Sequence, residues 1–296
     1  MIHAHHFFFT DLPGLQEEYE AFGFARVEDE SQAVIVRELE WHAGFERRNG
    51  LRSMSGRLCY YLSDGDFGTS RGRGDWGLEV QEVLSLVWDA EHRNISYGKG
   101  PRFTPELLRF WIWHTFFPIT LALEGEYMPM HVGAVEIDGA PVLFSAASFG
   151  GKSTLTDHFL QKGHALYSDD TLPIKRVGDD YLAYPSFPYH RPYRRPETLG
   201  EPFGNFARQP APVRAIFELI PAAPDAAVTV TPVRGVERFN ILHQSQFVRF
   251  AFLKHRRYAF ALEMAKVVPV FQLTVPWDLK RLDEVYEAVR RHLETL

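Results

Sequence analysis

Residues 145–170 read SAASFGGKSTLTDHFLQKGHALYSDD. A Gly-Gly-Lys-Ser-Thr turn stands between an apolar run and a helical pattern, and the next apolar run ends on two aspartates. Each part suits phosphate chemistry. Glycines let backbone N–H groups converge on phosphate oxygens, and a helix N-terminus adds favourable partial charge. In such a loop Lys152 would reach the β- and γ-phosphates of a nucleoside triphosphate and Ser153 would ligate magnesium, with Thr154 beside the nucleotide. The remaining loop residues are Ser148, Phe149, Gly150 and Gly151. The pattern departs from G-x-x-x-x-G-K-[ST] at its first position, Ala146. Phe149 is the other departure, because a bulky residue takes positive φ only at a cost. Gly150 is therefore expected to absorb that geometry, or the loop to take another shape. Taken alone, SFGGKST also fits a glycine turn that opens a helix with a solvated lysine.

The aspartates weigh toward the phosphate reading. In a strand–helix–strand crossover the second strand usually lies in the same sheet and points the same way. Its C-terminal end then returns to the edge that carries the loop. Asp169 and Asp170 fall at that end. One carboxylate can hold magnesium, directly or through water, and the other can accept a proton from an attacking hydroxyl. An Asp-Asp pair is also common in polar turns; the loop upstream favours chemistry.

The elements that must position these groups follow from periodicity and punctuation. HVGAVEI reads as a strand opened by His131, Asp138-Gly139 as a hairpin turn, and PVLFS as the returning strand. A helix is expected from about Lys152 to Lys162 with Gly163 as its C-terminal cap, then a strand HALYS. Downstream, YLAYPS, VRAIFELI and VPVFQLTV read as strands. GVERFNILHQSQF and the region from Lys254 to Lys266 read as helices. A last helix from near Asp278 places Leu279, Leu282, Val285, Tyr286, Val289 and Leu293 on one face. Upstream, FTPELLRFWIWHTFFPITLALEGEY predicts a helix capped by Thr104 with Pro105 at its first position, kinked or broken at Pro118. The first hundred residues read mainly as short strands, among them QAVIVREL and GRLCYYLS; LEVQEVLSLVWD fits strand or helix. The expected division is a β-rich domain over 1–102 and a second domain over 103–296, within a chain of 296 residues.

Bulk properties exclude several classes. The formal net charge of −6 is opposite in sign to that of a general nucleic-acid or anionic-membrane binder, so neither partner is expected. Local basic clusters do occur in RGRG (Arg71 to Gly74), YHRPYRR (Tyr189 to Arg195) and KHRR (Lys254 to Arg257). The single cysteine, Cys59, permits no intramolecular disulfide and no cysteine-based zinc site, and it reads as a small buried apolar residue. No secretory signal pattern is visible, and the apolar run from Phe110 to Leu123 is too short to span a bilayer. A cytoplasmic protein is expected. HAHH, His3 to His6, reads as an N-terminal strand with exposed imidazoles in preference to a chelating site.

The segment MHVGAVEIDGAPVLFSAASFGGKSTLTDHFLQKGHALYSDD, residues 130–170, resembles the HPr kinase/phosphorylase superfamily. Members carry a histidine-initiated strand pair, a phosphate loop, a helix ending at x-G-H and a strand ending in Asp-Asp. The resemblance covers about residues 103–175. In layout it is most similar to the HPr-kinase-like proteins of lasso-peptide and related peptide-tailoring pathways, which share a β-rich N-terminal part, a helix before the histidine, and a PVFQL-like strand before a closing helix. It implies a mixed α/β fold with a P-loop core of the HPr-kinase/PEP-carboxykinase kind, and use of ATP and Mg2+. It places Lys152, Ser153 and Thr154 in the nucleotide loop, Asp169 as general base, Asp170 as an acidic neighbour assisting metal or substrate, and His131 near the transferred phosphate. The acceptor it implies is a serine or threonine hydroxyl of a precursor peptide. Oligomers are frequent in the superfamily. The later motif that HPr kinases use for phosphorolysis is not identifiable in the sequence, so neither the reverse reaction nor HPr as substrate is expected.

Two other readings remain open at this point. Ala146 and Phe149 motivate a non-catalytic nucleotide-binding partner in a peptide-modification pathway. A kinase of a small molecule such as free serine fits the same residues.

Overall fold

Short β-rich runs bounded by turn residues build the first part of the chain, and strands alternating with helices build the rest. The computed structural model describes residues 1–24, 32–39, 45–47, 52–63, 74–147, 149–191 and 195–296. The chain divides into two units: Met1–Tyr127 with Arg194–Leu199 and Phe250–Phe252, and Met128–Tyr193 with Gly200–Arg249 and Leu253–Leu296. No helix among the described residues is long and apolar enough to cross a membrane.

The first unit contains β1 (His6–Phe9), α1 (Pro13–Ala21), β2 (Ala33–Glu38), β3 (Glu46–Arg47), β4 (Arg52–Met54), β5 (Arg57–Ser63), β6 (Trp76–Val80), β7 (Leu84–Asp89) and β8 (Asn94–Lys99). These strands form one sheet in the order β1-β2-β8-β7-β6-β5-β3, with β4 on β5. The ambiguous LEVQEVLSLVWD resolves as two antiparallel strands, β6 and β7, joined by a tight turn. The long helical segment belongs to this unit. Thr104 caps it by accepting from the Leu107 N–H, and Pro105 opens α2 (Pro105–Phe110). No break occurs at Pro118. A π-helical stretch over Trp111–Phe116, in which the Phe117 N–H reaches back to Ile112 O, leads into α3 (Phe117–Glu124). Proline lacks an N–H and crowds the carbonyl four residues earlier; the wider turn placed there accommodates both. Its aromatic rings pack on the sheet, with Trp76 stacked on Phe116 at 4.4 Å and Phe7 edge-on to Phe117 at 4.9 Å.

The expectation of exposed N-terminal imidazoles is corrected here. His3 is fully buried, and its Nε2 lies 2.7 Å from Trp113 O. His5 packs edge-on to Phe117. Burial lowers the pKa of His3 to about 3 and that of His5 to about 4. Cys59 is buried as expected, and burial pushes its thiol up to about 12.

The second unit contains β9 (Met128–His131), β10 (Gly133–Ile137), β11 (Ala140–Ser145), α4 (Lys152–Gln161), β12 (Leu166–Ser168), β13 (Thr171–Val177), β14 (Asp180–Ala183), β15 (Tyr189–His190), β16 (Glu201–Pro202), β17 (Ala211–Pro212), β18 (Ala215–Ala222), β19 (Val230–Pro232), α5 (Gly235–Gln244), α6 (Lys254–Val267), β20 (Val270–Pro276) and α7 (Leu282–Leu293). Its largest sheet runs β12-β10-β11-β18-β20-β19; a second runs β17-β14-β13-β9, and β15 pairs with β16. β10 and β11 form the expected hairpin, with Asp138 and Gly139 both at positive φ. β12 and β11 are each antiparallel to β10, so they are parallel to each other, and the crossover through α4 returns to the edge it left.

Two expectations change. His131 does not open the hairpin strand. It closes β9, which pairs with β13 in the other sheet, because the Val132 N–H turns aside to Asp170 O. Leu279 is exposed: it lies in a 3-10 turn, Leu279–Arg281, which Asp278 caps, and α7 begins only at Leu282 with Val285, Val289 and Leu293 buried.

Candidate functional site

α4 carries Lys152, Leu155, Thr156 and Phe159 on one buried face, at the i, i+3, i+4, i+7 spacing of an apolar stripe. Phe159 packs between Phe144 of β11 and Tyr286 of α7. Thr156 comes so close to β10 that a Cβ on Gly133 would stand 2.3 Å from its Oγ1, so only glycine permits this approach. The helix is thereby seated with its first residue, Lys152, on the inward side. Lys152 is 8% exposed, and its ammonium donates to Ala146 O at 2.8 Å. A charge so placed requires oxygen partners, and the carbonyl at the start of the loop supplies one.

The loop solves its geometry differently from the expectation. Gly150 does not take positive φ; Phe149 (φ 64) and Gly151 (φ 87) do. Gly150 is instead required for space, because a Cβ there would lie 2.7 Å from the Ala146 Cβ and 2.9 Å from Ala147 O. The Gly150 N–H donates to Ala147 O at 3.0 Å, closing the turn. Phe149 is 81% exposed, so its ring offsets little of the roughly 1–2 kcal/mol that a left-handed residue costs. No side chain among the described residues caps α4, whose N-cap is Gly151. This contrasts with α2, where Thr104 occupies that position. A helix N-terminus without a side-chain cap suits an anion or solvent. Ser153 and Thr154 are half-buried in the first turn of α4. Ser148 lies outside the described residues, as do Arg71 to Arg73 of RGRG and Pro192 to Arg194 of YHRPYRR.

The aspartates rise from β12 at the same edge. Asp169 is 5% exposed. Its Oδ2 accepts from the Arg191 N–H at 2.7 Å and lies 3.2 Å from His190 Nδ1. Its Oδ1 is buried with no hydrogen-bond partner among the described residues. Asp170 Oδ1 lies 3.5 Å from His131 Nδ1 and 3.6 Å from an Arg191 guanidinium nitrogen, and its Oδ2 accepts from the Thr171 hydroxyl. The structure thus joins His131 to Asp170 through adjacent strands, β9 and β13, in which His131 pairs with Thr171. A segment after α5 ties the two sheets together. Ser245 Oγ meets Ser145 Oγ at 2.6 Å at the end of β11, and Ser245 O accepts from the His131 N–H.

His190 and Asp157 were not singled out by the sequence. His190 Nε2 lies 3.0 Å from Asp157 Oδ1 on the second turn of α4, so one imidazole bridges the phosphate-loop helix and Asp169. Burial lowers its pKa, but the carboxylates of Asp169 and Asp157 outweigh that, and the net shift is upward from 6.5. Within YHRPYRR, the His190 ring makes closer contacts with carboxylates than the Arg191 guanidinium does. In KHRR, Arg257 is buried and its Nε donates to Gln246 Oε1.

Among the described residues, no group of three or more His, Cys, Asp and Glu converges as an all-protein metal cage would. Magnesium bound with a nucleotide needs fewer protein ligands, usually one or two carboxylates with the phosphates. A hydroxyl and an acidic residue at one sheet edge, Ser153 and Asp170, match that donor set.

No protein-family model and no curated protein matches the chain. Among solved structures, the HPr(Ser) kinase/phosphatase from Coxiella burnetii is similar over 55% of this chain and 89% of its own, with 15% sequence identity and a TM-score of 0.35. A likeness that loose says nothing of this chain's chemistry.

Proposed function

We propose that the second unit is a phosphotransferase that moves the γ-phosphoryl group of ATP to an alcohol. The observation that carries the reading is Asp169: a buried carboxylate with one oxygen held by the Arg191 N–H and flanked by His190, and the other without a partner among the described residues. It stands on the sheet edge that also bears a glycine loop, a helix N-terminus with no side-chain cap among the described residues, and a buried lysine.

The roles follow from the chemistry of each group. Lys152 and the first-turn amides of α4 neutralise and orient the phosphates. Magnesium bound with the nucleotide would add further charge neutralisation, and Ser153 and Asp170 are the residues that would hold it. Asp169 Oδ1 orients the acceptor hydroxyl. As the acceptor oxygen bonds to the γ-phosphorus, the bond from that phosphorus to the β-phosphate oxygen breaks, ADP leaves, and the hydroxyl proton passes to Asp169. His131 and Arg191, beside Asp170, place positive or hydrogen-bonding groups where charge on the transferring group is greatest. The acceptor class we put forward is a serine or threonine of a ribosomally made precursor peptide, the substrate implied by the sequence resemblance.

Incubation with ATP, magnesium and candidate peptides or free serine, followed by mass spectrometry, tests the reading. A gain of one phosphate on an alcohol, lost in Asp169→Asn while ATP binding persists, is expected. ATP binding with no acceptor ever modified would favour a non-catalytic nucleotide-binding partner instead.

A further inference from the structure

β11, β18 and β20 are parallel neighbours, with Ser145 opposite Glu218 and Glu218 opposite Gln272. β11 ends at that level and gives way to the glycine loop. β18 and β20 continue to the Ala222–Pro276 pair, so the residue after β20, Trp277, stands beyond the same edge. Its backbone is fixed on both sides. The Trp277 N–H donates to Ala222 O at 3.0 Å, the Asp278 N–H donates to Pro276 O at 2.8 Å, and Asp278 Oδ1 accepts from the Lys280 N–H at 3.0 Å. Trp277 is nevertheless 59% exposed. The Cζ3 edge of its six-membered ring lies 3.9 Å from the point where a Cβ on Gly151 would stand. An indole is a large apolar surface to leave in water, and this one is held beside the residue that N-caps α4.

We propose that Trp277 is the stacking platform for the base of the nucleotide whose phosphates occupy the 146–152 loop; this rests on the phosphate-site reading above. In parallel α/β sheets, ligands lie across the C-terminal strand ends, and a nucleoside must extend away from phosphates held at the helix N-terminus. Trp277 is an exposed aromatic within van der Waals reach of the loop and anchored to two parallel strands of the sheet. Aromatic stacking is tolerant of base identity because every base has a π-face. The ligand class is therefore a nucleoside triphosphate bound through its base plane without readout of the base edge.

The test compares ATP with inorganic tripolyphosphate, which has the phosphates and no base, by calorimetry in the presence of magnesium with the full chain. Trp277→Ala is expected to raise the Kd for ATP about tenfold, within the range of one lost base–aromatic stack, and to leave the Kd for tripolyphosphate unchanged. Trp277→Phe, which keeps a π-face, is expected to retain most of the ATP affinity. Equal ATP affinity in wild type and Trp277→Ala would overturn the platform while leaving the phosphate site standing, as would a parallel loss of both ligands. A wild-type protein that binds neither ligand would overturn the phosphate site and the platform with it.

Discussion

Nδ1 of His190 lies 3.2 Å from Oδ2 of Asp169, and Nε2 of the same ring lies 3.0 Å from Oδ1 of Asp157. A carboxylate beside each nitrogen favours the imidazolium over the neutral ring, and the pKa shifts upward from 6.5. In the proposed phosphotransferase, His190 positions Asp169 through Oδ2 and leaves Oδ1 to the acceptor hydroxyl.

The sign of the pH effect follows. The folded-state pKa of His190 is raised above 6.5, so its stabilising link is complete below pH 6.5 and is lost as pH rises through the raised value. Wild-type thermal midpoints should fall as pH rises above 6.5 through that value. His190→Asn should flatten this limb, and Asp157→Asn should move it to lower pH by removing one of the two carboxylates. Superimposable midpoint–pH curves for wild type and His190→Asn would refute the imidazolium.

Lys152 and Asp169 should separate binding from chemistry. Lys152→Ala removes the buried cation and should weaken ATP binding. Asp169→Asn keeps shape and removes the proton acceptor; transfer should fall by about 10²- to 10⁴-fold, the usual contribution of a general base, with the Kd for ATP changed little. Calorimetry and single-turnover phosphate transfer read the two quantities independently, and transfer that survives in Asp169→Asn would assign the base elsewhere.

The loop makes opposite predictions for adjacent residues. Phe149 has φ 64 and an exposed ring, so Phe149→Gly relieves backbone strain and should stabilise the protein by about 1 kcal/mol. Gly150 has ordinary φ but no room for a Cβ, so Gly150→Ala should destabilise it and impair ATP binding. A Phe149→Gly protein with an unchanged or lower denaturant midpoint would contradict the strain assigned to Phe149.

What the sequence could announce was local. Gly163 at φ 92, the Asp138-Gly139 turn and the Thr104–Pro105 helix start are each decided by the residues themselves, and all three were legible. The parallel return of β12 was legible because crossover handedness and loop length leave few alternatives. His190 was not, because its partners Asp157 and Asp169 lie 33 and 21 positions away and no short-range pattern marks them. Trp277 was not legible either, because the pattern around it, a strand followed by a helix start, says nothing of which loop will stand opposite. The steric reason for Gly150 was hidden likewise: it lies in the Cβ of Ala146, the very departure that weakened the motif match.

His3 should make the first unit acid-sensitive. Its folded pKa is depressed to about 3 by burial against an ordinary value of 6.5, so the unfolded chain binds the extra proton first. The stability it contributes is intact above pH 6.5 and is lost as pH falls toward 3, at up to about 1.4 kcal/mol per pH unit for one group. His5, lowered to about 4 by the same cause, acts in the same direction. His3→Asn removes the titrating ring while leaving a side chain that can still donate to Trp113 O. The variant should be less stable at pH 7 through lost packing, yet its stability should fall less steeply between pH 6 and pH 4. Denaturant melts of both proteins at each pH, with the first unit followed by the fluorescence of the five tryptophans that remain in a Trp277→Phe background, would measure the two slopes; equal slopes would mean that His3 is protonated in the folded protein and that the burial argument is wrong.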